Sequence, residues 1–408
     1  MKTYLVGGAV RDKLLQLDVV DRDWVVVGTT PEQMIELGYK PVGKDFPVFI
    51  KPQSGEEYAL ARTERKTAKG YQGFSFNTSP DITLEDDLAR RDLTINAIAE
   101  SSKGELIDPF NGQADLKSGV LRHVSDAFLE DPVRILRVAR FAARFNFRIA
   151  DETMLLMQTM VSNGEVDSLV AERVWGEFHK ALSTNHPARF IQTLRDCGAL
   201  AKILPEIDVL FGIPQRKEYH PEIDTGIHTL MVLEQAAKLT NEPIVRFAAL
   251  LHDLGKAKTP EDKWPTHHGH EKLGVPVIKS LCQRLRVPSK FRELAAIVSE
   301  YHLNMHRIDE LKDATVLKML ESTGSLRSPE RAIHFTQACE ADARGRTGLE
   351  NRDYPQSQHF LQLVEAANSI NSADIAKTAN SGEAIKQAIR KSRIYAIRNV
   401  RQDFRSTF

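Results

Sequence analysis

The chain has 408 residues, too many for one ordinary hydrophobic core, so roughly two to three domains are expected. Hydrophobic residues make up 42% and charged residues 27%, a soluble globular balance, and no run approaches the ~20 apolar residues that cross a bilayer. Lysine plus arginine and aspartate plus glutamate are equal at 55 each, so total charge announces no nucleic-acid partner and charge has to be read locally. The start turns polar at Arg11-Asp12, too early for a secretory signal. Cys197, Cys282 and Cys339 are far apart, which argues against a disulfide framework or a zinc ribbon and for a cytoplasmic setting.

Residues 1–112 read as α+β. Tyr4-Leu5-Val6, Trp24-Val25-Val26-Val27, Val48-Phe49-Ile50 and Tyr58-Ala59-Leu60 are short β-type runs separated by Gly- and Pro-bearing turns. From about residue 115 onward the apolar spacing is helical and strand signals are few. Pro132 after Asp131 reads as the first position of a helix with its N-cap before it. The stretch from Leu204 to Pro221 reads as a connection between helical regions, and there is no internal repeat.

Gly7-Gly8-Ala9-Val10-Arg11-Asp12 follows the first strand. Paired glycines let the backbone approach a ligand closely, and the main-chain N–H groups of Gly8 and its neighbours would seat a triphosphate, with Arg11 adding a charge-assisted contact. A glycine pair alone more often marks an ordinary tight turn. Next come Asp21-Arg22-Asp23 and a valine run. Side chains at i and i+2 of a strand project from one face, so Asp21 and Asp23 can chelate together and suit Mg²⁺. Further along, Glu130-Asp131 leads into a helix on which Arg134, Arg137, Arg140 and Arg144 fall within about one third of the circumference at roughly 100° per residue. Ile135, Leu136, Val138, Ala139, Ala142 and Phe145 take the other side.

In the second half, His228 stands in a helical stretch, and Ala248-Ala249-Leu250-Leu251 ends in His252-Asp253 before Gly255. Imidazole and carboxylate together suit a divalent transition metal. His267, His268 and His270 cluster beyond, with His302 and His306 at i, i+4; they complete a two-metal site, meet phosphate or form a charged surface cluster. Residues 370–408 carry eight basic against three acidic side chains, and Arg62, Arg65, Lys66 and Lys69 form a second basic stretch.

The glycine turn and the Asp21/Asp23 pair, with Arg90-Arg91-Asp92-Leu93-Thr94-Ile95-Asn96-Ala97 and the Glu130-Asp131…Arg134 segment, resemble the class II CCA-adding enzymes, closest to the bacterial type with a hydrolase module. The resemblance covers essentially the whole chain. It implies a polymerase-β-like nucleotidyltransferase head with a small mixed sheet at 1–112 and a helical neck at 113–215. An HD phosphohydrolase domain at 220–330 and a helical tail with a basic end at 331–408 would follow. Asp21 and Asp23 would be catalytic and hold Mg²⁺, with Glu57 the candidate third carboxylate; Gly8, Arg11 and Arg91 would bind nucleotide. Asp131 and Arg134 would read the base edge, Arg137 and Arg140 would meet phosphate or sugar, and residues 62–74 would form a flexible catalytic loop. Arg90 and Asp92 are left as ion-pair members.

His228, His252, Asp253 and Asp342 resemble the metal ligands of HD phosphohydrolases, which implies Ni²⁺, Mn²⁺ or Co²⁺. Phosphatase, 2′-nucleotidase and 2′,3′-cyclic phosphodiesterase activities would come with that site. The implied partners are the tRNA acceptor arm, CTP and ATP, with no membrane, in a monomer or homodimer. A bacterial poly(A) polymerase shares most of the head motifs; its members carry extra residues before the glycine loop and a long basic extension. A nucleotide hydrolase whose head only senses RNA and a noncatalytic RNA-binding protein are the remaining readings.

Overall fold

The computed structural model describes residues 1–42, 48–66, 74–378 and 381–407. By packing, the chain divides into two units, Met1–Glu177 with Gln192–Lys202, and Phe178–Ile191 with Ile203–Phe408.

The first unit is built on a seven-stranded mixed sheet. Its strands are β1 (Lys2–Val6), β2 (Asp23–Val27), β3 (Lys40–Val42), β4 (Val48–Ile50) and β5 (Glu57–Leu60), then, past a separate antiparallel ribbon of β6 (Thr63–Lys66) and β7 (Phe74–Asn77), β8 (Ala99–Ser101) and β9 (Leu106–Ile107). The order is β3-β4-β5-β2-β1-β8-β9. β2 and β5 run parallel and the other neighbours antiparallel. Trp24–Val27 is a continuous apolar run because both faces of the sheet are covered. Alternation sends Val25 to a cluster with Val6, Leu84, Leu88 and Ala99, and Val26 to one with Met34, Phe49, Tyr58 and Leu60. The helices α1 (Gly8–Leu14), α2 (Pro31–Glu36) and α3 (Leu84–Ala89) belong to this layer, with Met34 from α2 and Leu84 and Leu88 from α3 serving opposite faces. Capping boxes at Thr30 and Thr83 start α2 and α3.

The segment from 62 to 74 was expected to be one flexible loop. Its flanks instead pair as β6 and β7, with Thr63 opposite Asn77, and residues 67–73 lie outside the described residues. The β-propensity of its flanks was hidden among basic residues. A second departure is β10 (Val120–Leu121) paired in parallel with β11 (Arg148–Ile149), inside a region expected to be helical.

Helices α4 (Gly112–Ser118), α5 (Val133–Phe145), α6 (Asp151–Ser162), α7 (Ala171–Leu182), α8 (Ala188–Asp196) and α9 (Leu200–Ile203) follow. α5 begins one residue later than expected, at Val133; the Asp131 carboxylate accepts the Val133 amide at 3.0 Å and so still caps the first turn.

The second unit is helical: α10 (Pro205–Asp208), α11 (Thr225–Leu239), α12 (Pro243–Leu251), α13 (His270–Arg284), α14 (Ser289–His306), α15 (Asp313–Ser322), α16 (Pro329–Arg344), α17 (Gln356–Asn368), α18 (Ser372–Thr378) and α19 (Gly382–Thr407). α12 is the centre, packed by α11, α14 and α16. Val245 through Leu251 are buried, which explains the unbroken apolar run ahead of His252.

The basic tail is only partly a free cationic surface. α19 packs on α15 and α17, and Arg401, 6% exposed, donates to Asp313 Oδ1 at 2.6 Å and to the Asp309 carbonyl at 2.9 Å. Arg398 reaches the same Asp313 at 3.1 Å. Exchanging Arg401→Ala is expected to cost about 1.5–3 kcal/mol in urea unfolding, the value of a hydrogen bond to a charged group. The exposed Lys386→Ala on the same helix should stay within about 0.5 kcal/mol.

Candidate functional site

Two clusters of charged side chains stand out, one in each unit. In the first, strand register does the positioning. Val6, the last residue of β1, pairs with Asp23, and Asp23 pairs on its other side with Glu57 of β5. Two carboxylates thus stand side by side at the end of the sheet where the Gly7-Gly8 turn leaves β1. Asp21 is exposed like Asp23 but lies two residues ahead of β2. The expectation that both acids share one strand face therefore needs correcting. β1 ends at Val6, so no residue of β1 is left to pair with anything before Asp23. Among the described residues, Asp21, Asp23 and Glu57 form no group of three with ligand oxygens all within 4.8 Å.

Gly7 takes φ +68°, a conformation that favours glycine, and the Arg91 guanidinium lies close over it, with Nη1 2.7 Å from where a Cβ would stand. Arg91 donates to Asp87 Oδ2 at 3.2 Å and to the Asn96 carbonyl at 3.4 Å, while Arg90 takes Asp87 Oδ1 at 2.8 Å. Arg11 is 3% exposed. Its guanidinium meets Asp12 Oδ1 at 2.8 and 2.7 Å and Asn96 Oδ1 at 2.5 Å, and lies 5.0 Å from the rings of Phe141 and Phe145. It is turned inward, behind the glycine turn.

The arginines of α5 each find a partner on another element. Arg134 donates to the Arg90 carbonyl at 2.7 Å, Arg137 to Asp92 at 2.6 Å, Arg140 to Glu177 at 2.5 Å and Arg144 to Asp12 at 3.0 Å. Asp131 receives both Nη1 (3.1 Å) and Nη2 (2.7 Å) of Arg173 from α7. Arg173 was not foreseen; the only sequence signal is a carboxylate at a helix start that needs a fork-shaped partner. Burial alone would raise the Asp92 carboxyl, but Arg137 and Asn96 outweigh it and hold the group well below the usual carboxylate range.

The second cluster contains His228 (α11), His252 and Asp253 (end of α12) and Asp342 (α16), all at most 2% exposed. The structure brings these four sequence-chosen residues together and adds His270 from α13 and His302 from α14. Ligand atoms fall in two buried groups, His228–His252–Asp342 and Asp253–His270–His302, and a less buried third, His220–Glu222–His228, each within 4.8 Å. Gly255 lets the turn after Asp253 pack tightly on α13, because a Cβ on it would collide with the main-chain carbonyl of His270.

All four imidazoles are oriented alike. Each donates Nδ1–H to a main-chain carbonyl: His228 to Gly345 (2.9 Å), His252 to Ala249 (2.7 Å), His270 to His267 (2.9 Å) and His302 to Ser299 (2.9 Å). Every Nε2 lone pair is left facing the carboxylates. His228 Nε2 lies 3.2 Å from Asp342 Oδ1, and His252 and His270 Nε2 each lie 3.1 Å from Asp253. His270 Nε2 stands 3.4 Å from His302 Nε2. Acceptors confront acceptors with no hydrogen between them, and His228 Nε2, His252 Nε2 and Asp253 Oδ1 are buried without any hydrogen bond. Bound cations resolve that conflict, so the donor set fits divalent metal. Burial would raise the Asp253 and Asp342 carboxyls, but neighbouring positive charge, including Lys256 at the first and Arg346 at the second, keeps both well below the ordinary range.

The remaining histidines separate. His268 is exposed, and His267 is held between Thr259 Oγ1 (2.6 Å) and the Pro214 carbonyl (2.8 Å). His306 meets Asp342 Oδ2 at 2.6 Å and Tyr354 Oη at 2.8 Å. A cavity of about 700 Å³ opens onto Asp253 and Asp342, with Lys256, His220 and Arg346 in its lining. Lys256 donates to Asp253 Oδ2 at 2.6 Å and Gln215 Oε1 at 2.5 Å. Sequence reasoning missed Lys256, His220 and Glu222; a His and a Glu in the loop just ahead of the His228 helix were the available signal.

Three family models match: Poly A polymerase head domain over 3–122, Probable RNA and SrmB- binding site of polymerase A over 146–211, and HD domain over 225–342. The chain is 58% identical to the multifunctional CCA protein of Nitrosococcus oceani, covering 98% of each. It is 57% identical to that of Vibrio cholerae, covering 97% of this chain and 99% of the relative. The chain belongs to the multifunctional CCA protein family. Members of this family are enzymes, and so is this chain. The fold is shared with a solved CCA-adding enzyme in complex with CTP (TM-score 0.65, 24% identity, 97% of this chain and 87% of that one). It is shared also with the Thermotoga maritima CCA-adding enzyme complexed with tRNA (TM-score 0.63, 22% identity, 100% and 91%). Both a polymerase-type head and an HD domain imply dependence on divalent metal.

Because Asp92 is more acidic folded than unfolded, its contribution to stability is present above about pH 4 and is lost as pH falls below that value. Acid titration of stability, followed by circular dichroism, should therefore show a steep limb below about pH 4 that Asp92→Asn flattens, at the cost of lower stability at pH 7.

Proposed function

We propose that the chain builds and repairs the 3′-terminal CCA of tRNA from CTP and ATP without a template, and that its HD region is a second, phosphate-ester-hydrolysing centre. The observation that carries the first part is the register Val6–Asp23–Glu57, which sets carboxylates at the mouth of the Gly7-Gly8 turn under Arg91. The close relatives support it by name.

The oxygen of the tRNA 3′-hydroxyl attacks the α-phosphorus of the nucleotide. That P–O bond forms as the bond to pyrophosphate breaks, and the hydroxyl proton passes to solvent. Asp21 and Asp23 would hold Mg²⁺, with Glu57 beside them, and such an ion would supply charge neutralisation at the reacting phosphate. Gly8 and Arg91 receive the triphosphate. Arg11 supports that turn from behind and reaches phosphate only by exchanging a bond to Asp12. Asp131 supplies acceptors and Arg134 donors to the base edge, and Arg137 and Arg140 meet sugar or phosphate. The organisation is a head at 1–112, a neck at 113–215, a hydrolase region at 220–330 and a tail at 331–408 that lends Asp342 to the hydrolase site.

In that second site His228, His252, Asp253 and Asp342, with His270 and His302, hold divalent transition metal, Ni²⁺, Mn²⁺ or Co²⁺. A divalent metal held there would supply Lewis-acid activation of water and phosphate near neutral pH. Phosphatase, 2′-nucleotidase and 2′,3′-cyclic phosphodiesterase activities are assigned to it. No helix among the described residues is long and apolar enough to cross a membrane, in keeping with work on the tRNA acceptor arm in the cytoplasm.

Labelled CTP and ATP offered with tRNA ending at the discriminator base should give two C and then one A. Long A tails would instead identify a poly(A) polymerase, and no incorporation would leave only the hydrolase. Asp23→Ala should abolish incorporation while metal-dependent phosphatase activity survives. Asp131→Ala should relax base choice by about 1–3 kcal/mol, read as misincorporation of UTP or GTP. His252→Ala should reverse the Asp23→Ala pattern, with less metal per chain by elemental analysis and intact CCA addition.

A further inference from the structure

The loop that joins α10 to α11 is pinned at its base and again at its tip. Pro214 pairs with Asp224, and the Gln215 amide donates to the Ile223 carbonyl at 2.7 Å. The Asp224 carboxylate accepts the Gly212 amide at 2.6 Å and the Ile227 amide at 2.9 Å, which ties the loop to the first turn of α11. Gln215 Oε1 accepts from Lys256, whose ammonium also holds Asp253, so the loop is fastened to the ligand set itself. At the tip, the amides of Tyr219 and His220 both donate to the Arg216 carbonyl, at 3.1 and 2.9 Å.

That turn sends two neighbouring rings in different directions. His220 packs edge to face on the ligand His228, with centroids 4.5 Å apart. Tyr219, one residue before it, is 56% exposed and lines the cavity. The Arg216 guanidinium lies over the Tyr219 ring, 5.0 Å from its centroid, with Nε 3.4 Å from Glu218 Oε2. A large aromatic held outside the core on so constrained a loop loses little further freedom when a second flat ring stacks on it.

The cavity lining offers two kinds of contact. Lys256 and Arg346 stand against Asp253 and Asp342, at 2.6 and 3.3 Å, and suit phosphate oxygens beside the metal ligands. Tyr219 and Arg216 offer a π face and a guanidinium plane, which suit a flat heteroaromatic ring and give an aliphatic group far less. A volume of about 700 Å³ has room for both groups of one small ligand. A nucleoside with phosphate on its ribose carries the two groups one sugar apart, and Tyr219 is one residue from the ring that touches His228.

Resting on the assignment of this centre as a phosphohydrolase, we propose that Tyr219, braced by Arg216, is the stacking platform for the nucleobase of its ligand. The centre therefore favours nucleoside phosphates over phosphate esters without a base. Only the base is read, so a 2′-monoester and a 2′,3′-cyclic diester are favoured alike. Tyr219 is a specificity-determining residue for the ligand.

The test uses the full chain loaded with Mn²⁺ and compares adenosine 2′-monophosphate with methyl β-D-ribofuranoside 2-phosphate, which lacks the base. KM and kcat are read from phosphate release. KM should be about five- to a hundred-fold lower for the nucleotide, the worth of stacking one base. Tyr219→Ala should raise KM for the nucleotide to that of the base-free ester with kcat unchanged, while Tyr219→Trp, which keeps a ring face, should preserve the difference. Metal per chain and the urea unfolding midpoint should match the intact protein in both variants. Equal KM values in the intact protein, or a difference that survives Tyr219→Ala, overturns the proposal. A fluorescent probe, 2-aminopurine riboside 2′-monophosphate, decides the contact separately: its quenching on binding should be lost in Tyr219→Ala, and unchanged quenching overturns the stacking. Absence of phosphate release with Mn²⁺ bound would overturn the phosphohydrolase assignment instead, and the quenching would still decide the base contact.

Discussion

Asp87 has no solvent exposure, and it holds Arg90 through one oxygen and Arg91 through both its second oxygen and the field of the pair. The arrangement recurs wherever this chain needs a long polar side chain in one place. Asp12 is shared by Arg11 and Arg144, and Asp313 by Arg398 and Arg401. A buried charge left alone costs several kcal/mol, so each shared carboxylate is tolerated only while its partners stay, and the partners are thereby immobilised. In both units the candidate sites are built on this constraint rather than on apolar packing.

The two sites use it in opposite ways. In the head the carboxylates neutralise arginines that would otherwise repel one another along α5, spaced so that four guanidiniums share one face. Asp131 and Arg134 are both engaged with protein groups, Arg173 and the Arg90 carbonyl, so an incoming base has to be exchanged for existing contacts. In the helical unit the histidines are held through Nδ1 by main-chain carbonyls, which consumes their only proton and leaves a ring of lone pairs. The α5 arginines are met by protein groups, whereas the facing lone pairs of the helical unit fit bound cations.

A large share of this was legible in the residues. The four strand runs at Tyr4, Trp24, Val48 and Tyr58 stand where expected, because their β-branched and aromatic content sits between glycine and proline turns. α5 and α12 were readable for the same kind of reason, an amphipathic stripe in one and a fully buried run in the other. Less visible were β6, β10 and β11, two to four residues long, where tertiary pairing overrides a weak local preference. Arg173, Glu222, His220 and Lys256 were missed because an isolated charged residue carries no periodicity.

By itself, then, the order of residues determined the mixed-sheet head, the helical body, the family and the main ligand types, since motif and period are properties of neighbours along the chain. The tertiary structure decided which long-range partners those side chains meet. It cut β2 short at Asp23 because β1 runs out at Val6, and it added His270 and His302 to Asp253 across separate helices. It also turned two of the tail's eight basic side chains, Arg398 and Arg401, onto Asp313. Such choices depend on distances between segments tens of residues apart, which are set by packing and leave no local trace.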